Sequence, residues 1–355
     1  MITAAKLASA WRLLGPAARR RQCWRVLLVP RFLALYGPGR FTPGEISRLG
    51  LLEVPASRLP DYISKYRLVR IQDRLNPREV ADRAEDKALF YRVCAQAGLP
   101  IPSVLAEIDL DEPVSSLDRL ADLPAGEIVV KPSLGYYGLG LMLLTHREGR
   151  FLASDGTALT AGDLLARLAS DVAPNEGFRR WVVQARVANH SAVTAISPSP
   201  ALQTLRVVSF VDDQGEPHIL ASQWRLAGPQ AATDNFRGGL SGNLLCNIDV
   251  ETGRVRTALR LAPEGDRMEA LPHHPVSGVP LENLALPLWA EARALALRAC
   301  LAMLPLRSIG WDIGLTPEGP ILIEANNHWD PQNADGGMGA RLRFMAARTR
   351  LFRYR

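Results

Sequence analysis

The sequence predicts an α+β protein with a helical, basic N-terminal extension. Three observations lead there. Helical periodicity marks residues 4–36 and returns near 82–98, 283–304 and 337–350. Short apolar runs bounded by turn residues fill much of the stretch between, as strands do. Charge is segregated. Residues 1–44 hold eight Lys or Arg and no acid, residues 336–355 hold six Arg and no acid, and the middle is net −8.

The composition narrows the function classes. At 355 residues the chain can bury the cores of two or three domains. Its 47% hydrophobic and 22% charged residues are ordinary for a globular protein. Cys23, Cys94, Cys246 and Cys300 form no Cys-x-x-Cys pair, and the six histidines show no His-x-x-x-His spacing. Zinc and a disulfide framework are therefore not expected, and a reducing cytoplasm is. The apolar run Val26–Tyr36 is too short to span a bilayer and contains Pro30 and Arg31. The N-terminus has no uninterrupted apolar core followed by a cleavage site, so no signal peptide is expected. The basic ends read either as solvated helices or as a surface for an anionic partner. Lipid headgroups or an acidic polymer suit them better than nucleic acid, because no aromatic-interleaved basic motif accompanies the charge. Only four of the 42 basic residues are lysines: Lys6, Lys65, Lys87 and Lys131. A lysine in so arginine-rich a chain suggests a need for a compact ammonium.

Taken in order, Leu7, Trp11 and Leu14 share one helical face, and Trp24, Leu27 and Leu28 share another, with Pro16 separating the two pieces. Residues 37–60 are loop-rich with short helices, and Ser57–Asp61 is a plausible boundary. Asp82 and Glu85 have capping-box spacing ahead of a stripe of Leu89, Phe90, Val93, Cys94 and Ala97, which Gly98 and Pro100 terminate. Strands are expected at Glu127–Lys131, Leu141–Thr145 and Arg180–Gln184. A hairpin is expected from Leu205–Val211 and His218–Trp224 across Asp212–Gly215. Residues 283–304 read as a long apolar helix and residues 337–350 as a basic one.

The segment Gly310–Asn327 carries the sharpest signal. Thr316-Pro317-Glu318-Gly319 is turn chemistry between short apolar runs. A turn centred on Glu318 sets Asp312 across from Glu324, and strand alternation puts Glu324 and Asn326 on one face. Two carboxylates and an amide oxygen converging on one spot suit a hard cation such as Mg²⁺. A one-residue slip would move Asp312 to the other face.

Other residues carry chemistry in the middle of the chain. Lys131 precedes a glycine-rich loop containing Ser133, Gly135, Tyr136, Tyr137, Gly138 and Gly140. Such a loop between two strands is either a hairpin tip or a cradle in which backbone N–H groups wrap phosphate. It is neither a Walker loop nor a dinucleotide fingerprint. Gln184 ends a strand, as an exposed residue or as an amide for an adenine edge. Arg206 lies in an apolar strand and needs an anion, either a transferring phosphoryl group or a structural carboxylate. Arg225 and the loop Asp234–Gly239, with Asn235, could reach the same cleft.

In this order the pieces resemble the ATP-grasp superfamily from about Asp86 to Asn327. The resemblance rests on Asp86-Lys87, the Lys131 strand and glycine loop, Gln184, Arg206, and Asp312 with Glu324-x-Asn326. Thr204-Leu205-Arg206, Asp234-Asn235-Phe236, Gly238-Gly239 and Gly310-Trp311-Asp312 look most like the sugar-transfer-associated group, related to α-L-glutamate ligases. The resemblance implies two α/β subdomains clasping ATP. Lys87 and Lys131, with Ser133, would bind its phosphates, and Gly135, Gly138 and Gly140 would close over them. Gln184 would line the adenine pocket, and Asp312, Glu324 and Asn326 would hold Mg²⁺. Arg206 would face the γ-phosphate, with Arg225 and Asn235 beside it as catalytic candidates. The implied organisation is a helical region at 1–60, the first part of the ATP-grasp unit at 61–102, a lid subdomain at 103–185, a Mg²⁺-binding subdomain at 186–345 and a basic tail at 346–355. The implied activity is a carboxylate–amine ligase acting through an acyl phosphate on small or glycan-linked substrates in cell-surface polysaccharide assembly. It would sit in the cytoplasm, at an anionic membrane face through its basic ends, with no nucleic-acid partner. A kinase of the same fold, or a non-catalytic nucleotide-binding scaffold, fits the same residues. The family's usual Pro-Gly loop after Glu-x-Asn is replaced by Asn327–Gln332, where His328 and Asp330 are candidate acceptor contacts.

Overall fold

The computed structural model describes residues 4–135, 138–170, 178–350 and 353, with side chains from Trp11 onward. Tyr136 and Tyr137 of the glycine loop, the Leu7 side chain, and Leu351, Phe352, Tyr354 and Arg355 of the basic tail lie outside the described residues.

The chain opens with helices α1 (Ala4–Arg20), α2 (Val29–Tyr36), α3 (Pro43–Arg48) and α4 (Lys65–Leu75). Pro16 lies inside α1 and does not divide it; the break comes at residues 21–24. A mid-helix proline forfeits one backbone hydrogen bond. Leu14, Ala17 and Ala18 offset that loss by burying against Leu28, Phe32 and Ile46. Leu28 is buried while Trp24 and Leu27 face outward, so these three do not share a buried face. A capping box starts α3: Thr42 Oγ1 accepts the Glu45 N–H at 3.2 Å, and Glu45 accepts the Thr42 N–H at 2.7 Å. The other Glu45 oxygen accepts the Lys65 N–H at 2.9 Å and joins α3 to the start of α4.

Short helix α5 (Asp82–Glu85) and α6 (Lys87–Gln96) follow. The capping box expected at Asp82 and Glu85 is not formed, because extended backbone at Asp86 separates the two helices. Asp86 caps α6 instead, accepting the Leu89 N–H at 3.1 Å.

The next segment builds a six-stranded sheet. Its elements are β1 (Val104–Asp109), α7 (Pro113–Ala121), β2 (Gly126–Pro132), β3 (Met142–Arg147), β4 (Arg150–Ala153), β5 (Ala158–Leu159), α8 (Ala161–Ser170) and β6 (Arg180–Ala185), in strand order β1-β6-β2-β3-β4-β5. Ile108, Ile128, Val130, Trp181 and Val183 cover one face with α7 and α8. Lys131 and Gln184 lie on the opposite face, since Lys131 pairs with Val182 and Val129 with Gln184.

A short α9 (Ser191–Ile196) leads to a second, seven-stranded sheet. It comprises β7 (Thr204–Val211), β8 (Pro217–Leu226), β9 (Leu244–Ile248), β10 (Val255–Leu261), β11 (Met268–Ala270), then α10 (Trp289–Ala302), β12 (Ser308–Thr316) and β13 (Gly319–Asn326), ordered β11-β10-β9-β8-β7-β12-β13. The expected helix at 283–304 thus starts only at Trp289. Ala292, Ala296 and Ala299 let α10 press closely on one face of the sheet against Trp224 and Trp311. Helix α11 (Met338–Arg348) and α4 cover part of the other face through Leu68, Leu342 and Phe210. The rest of that face is left to a cleft.

Candidate functional site

One row of cross-strand partners crosses the second sheet: Asn247, Gln223, Arg206, Asp312 and Glu324, on five neighbouring strands. All five side chains lie on one face, because directly opposed residues in a sheet point the same way. Thr204 and Arg225 flank the row one pleat away, and Asn326 lies two residues beyond Glu324. The expected Asp312–Glu324 pair is present, but the turn itself pairs Thr316 with Gly319, and a bulge at Ile323 is what brings Glu324 opposite Asp312.

Asp312 is clasped by two guanidiniums. Arg206 donates from Nε to Oδ1 at 2.6 Å and from Nη2 to Oδ2 at 3.1 Å, and Arg225 Nη2 reaches Oδ1 at 2.6 Å. Burial alone would raise the Asp312 carboxyl, but the two arginines override it and bring it down to about 2. The anion that Arg206, partly buried here, requires is therefore Asp312. Burial also works against the charge on Arg225, yet Asp234 and Asp312 raise its pKa. Asp234 is pushed above the usual carboxylate range by burial, against the pull of Arg225. Its Oδ2 accepts both the Thr204 N–H at 2.8 Å and the Thr204 hydroxyl at 2.5 Å.

Two lysines face this row from the other side. Lys87, the first residue of α6, sits 3.1 Å from Glu324 Oε1 and donates to the Gly135 carbonyl at 3.1 Å. Lys131 is buried and has no carboxylate in ion-pair range among the described residues. Its hydrogen bond goes to the Tyr91 hydroxyl at 2.7 Å. Burial, with Lys87 nearby, lowers its pKa to about 7. The Tyr91 hydroxyl is also within hydrogen-bond reach of Gln184 Oε1 (3.0 Å) and of the Ile323 carbonyl (2.7 Å), joining the two sheets.

The cleft between the sheets has a volume of about 1160 Å³. It gathers Lys87, Lys131, Gly135, Gly138, Gln184, Arg206, Arg225, Asn235, Asp312, Glu324 and Asn326. Ser133 and Gly140 do not line it. Ser133 is turned toward α6, donating to Asp86 and accepting the Ala88 N–H at 3.1 Å. Gly140, at φ +72°, is packed where a Cβ would come within about 3.1 Å of Pro132, Phe178 and Trp181. Gly138, at φ +73°, meets Thr233 and Asn235 of the second sheet's long loop.

Tyr91 was not anticipated, although its place four residues after Lys87 on a helix puts both on one face. The lining of the cleft by Thr42, Glu45, Arg48, Leu49 and Lys65 was not anticipated either. The segment after Asn326 is held by α4. Lys65 Nζ reaches the His328 carbonyl at 2.6 Å and Asp330 at 2.8 Å, Gln72 donates to the Trp329 carbonyl at 2.9 Å, and Asp73 meets His328 at 2.9 Å.

A family model described as sugar-transfer associated ATP-grasp matches residues 66–343. The chain belongs to this ATP-grasp family. No curated protein matches it. Solved structures that resemble it include the following three. N5-carboxyaminoimidazole ribonucleotide synthetase with ADP is 11% identical over 77% of this chain and 53% of its own, with a TM-score of 0.40. Campylobacter jejuni biotin carboxylase is 11% identical over 76% of this chain and 48% of its own, with a TM-score of 0.44. Bacillus anthracis D-alanine–D-alanine ligase is 13% identical over 75% and 67%, with a TM-score of 0.41. The chain spans about half the length of the first two.

The donor set of this ATP-grasp cleft suits a polyphosphate, because Lys131 is a buried cation without a carboxylate of its own. For a metal the fit is uneven. Glu324 offers a carboxylate. Asn326, whose Nδ2 donates to the Gly310 carbonyl at 3.2 Å, offers an amide oxygen. Both Asp312 oxygens are taken by arginine. Among the described residues no group of three or more His, Cys, Asp or Glu is arranged for a metal ion.

Proposed function

We propose that the cleft binds Mg-ATP and that the protein is an ATP-dependent ligase joining a carboxylate to an amine. The observation that carries this reading is the buried Lys131 side chain, with Lys87 beside it, aimed into a cleft whose opposite wall bears Arg206 and Arg225. Lys131 and Lys87 hold the phosphate oxygens, and Gln184 supports the adenine side. Glu324 and Asn326, with Asp312 as the third candidate, would hold Mg²⁺, which when bound would neutralise phosphate charge, and Arg206 and Arg225 would face the transferring phosphoryl group. A substrate carboxylate oxygen attacks the γ-phosphorus and ADP leaves. The amine then attacks the acyl carbon, expels inorganic phosphate and loses a proton. Catalysis of this kind is mostly positioning and charge neutralisation. The family's association with sugar transfer supports a place in polysaccharide or glycoconjugate assembly, with 103–185 and 186–345 as the two clasping subdomains.

The test couples ADP release to product mass with hydroxylamine present. A hydroxamate formed from the true acid supports the ligase. A phosphorylated product would point instead to a hydroxyl-accepting kinase. Mg-ATP affinity unchanged in Lys131→Met would overturn the reading of the cleft itself.

We also propose that the N-terminal helices rest on an anionic membrane. No helix among the described residues is long and apolar enough to cross one. Trp24, Val26, Leu27 and Leu33 are exposed at 81, 61, 65 and 54% on a segment whose only charged residues are arginines. Apolar side chains interleaved with arginine suit an interfacial position.

A further inference from the structure

The cleft has a second end, to which residues outside the family match contribute. Helix α3 contributes Glu45, Arg48 and Leu49 to its wall, and the start of α4 contributes Lys65. The segment after the Mg²⁺ candidates contributes Asp330 to Ala334. A chain of contacts locates these groups together. Arg48 follows Glu45 by three residues on α3, one helical turn away. Glu45 caps Lys65, and Lys65 holds Asp330, two residues before Gln332.

Formally Glu45 and Asp330 balance Arg48 and Lys65, so what singles out this end is one guanidinium without a partner. Both Glu45 oxygens are committed to the Thr42 and Lys65 N–H groups. Asp330 is met by Lys65, and Glu85 lies 4.0 Å from His328. Arg48 has no ion pair or hydrogen bond to any described residue. Its guanidinium lies against Gly238, about 3.1 Å from where a Cβ would stand, and Gly238 has a backbone φ of +63° that favours glycine. The loop that carries Asn235 thus positions the Arg48 head without neutralising it. Gln332 supplies the second observation. It is only 3% exposed, lines the cleft, and its Nε2 donor has no partner. A buried amide donor left unpaired costs about 1–3 kcal/mol, which a ligand oxygen would restore.

We propose that Arg48 and Gln332 form an oxyanion subsite for the non-nucleotide substrate, completed by the N-terminal extension. The group it takes is a carboxylate or phosphate on that substrate, separate from the ATP phosphates at Lys131. This deepens the ligase reading and rests on it, because it assigns the remaining end of the same cleft.

The test uses the full chain saturated with a Mg-bound, non-hydrolysable ATP analogue, titrated with inorganic phosphate and separately with glucuronate by calorimetry. One of these anions should bind, and which one does identifies the substrate's group. Arg48→Ala should weaken that binding on the order of tenfold or more, the loss of one charge-assisted hydrogen bond. Arg48→Lys should retain part of it, and Gln332→Leu should weaken it independently. Affinity for the analogue should stay within about twofold of wild type, because Lys131 lies at the other end. Anion binding equal to wild type in both Arg48→Ala and Gln332→Leu would overturn the subsite, as would binding of neither anion by the wild-type protein. If the analogue does not bind, the ligase reading fails by itself. The anion titrations without nucleotide then still decide the subsite, by responding to Arg48→Ala and not to Lys131→Met.

Discussion

At the scale of single residues, Lys131 makes the most direct demand on experiment. Its pKa is lowered from 10.5 to about 7 by burial and by Lys87. Between those two pH values the unfolded chain holds a proton that the native protein has released. Stability from this group therefore rises with pH across that window, and below it the buried ammonium opposes folding. A phosphate beside Lys131 raises its pKa again, so nucleotide binding just above neutral pH should take up a proton. Calorimetry in two buffers of different ionisation enthalpy should show the uptake, and Lys131→Met should abolish it. Enthalpies that agree between buffers for the wild type would show that no phosphate reaches Lys131. Arg225 makes a different demand. Its removal leaves Asp234 without its guanidinium and Asp312 with Arg206 alone, and breaking such a buried cluster costs about 3–5 kcal/mol. Arg225→Met should therefore lower the urea midpoint strongly at neutral pH and less in acid, where protonation relieves these carboxylates.

At the scale of elements, the β12–β13 hairpin was legible because Thr-Pro-Glu-Gly sets its turn locally, but the bulge at Ile323 that brings Glu324 opposite Asp312 was not. Nor was the arginine clasp on Asp312, because the partners come from β7 and β8 through registers that no short stretch of sequence encodes. Ser133 was misplaced for a similar reason. Its position in the glycine loop suggested phosphate, whereas its hydroxyl is spent on α6 and Asp86. The support of the Asn327–Gln332 segment by α4 was equally hidden, and it rests heavily on Asn76. That side chain accepts the Arg307 and Ser308 N–H groups at 2.8 and 2.9 Å and donates to the Ser308 carbonyl at 2.7 Å and Asn327 Oδ1 at 2.5 Å. Asn76→Ala would leave several buried groups unpaired, and we expect a loss of about 3 kcal/mol in urea unfolding. In the folded variant, KM for the acid or amine should rise more than KM for ATP, since the displaced segment lines the far end of the cleft. A loss below about 1 kcal/mol would show that the segment holds itself.

At the scale of the whole molecule, charge segregation was plain in the sequence, but the use of the N-terminal extension was not. The basic first 44 residues suggested a partner outside the protein. In the structure the same extension also walls the cleft through α3 and the start of α4. A single extension that both meets a membrane and borders the substrate end of the cleft would keep membrane-linked acceptors near the site. Its two attractive forces can be separated by salt. Arginine–headgroup attraction is screened as ionic strength rises, whereas insertion of Trp24, Leu27 and Leu33 is not. In flotation with vesicles containing anionic lipid, binding should fall with salt to a residual level. Trp24→Ser with Leu27→Ser should remove that residue while leaving much of the low-salt binding. Both side chains are largely exposed, so the double variant should melt as the wild type does and a loss of binding cannot be read as unfolding. Flotation with neutral lipid equal to that with anionic lipid would discard the arginine contribution, and no flotation with either would discard the membrane altogether.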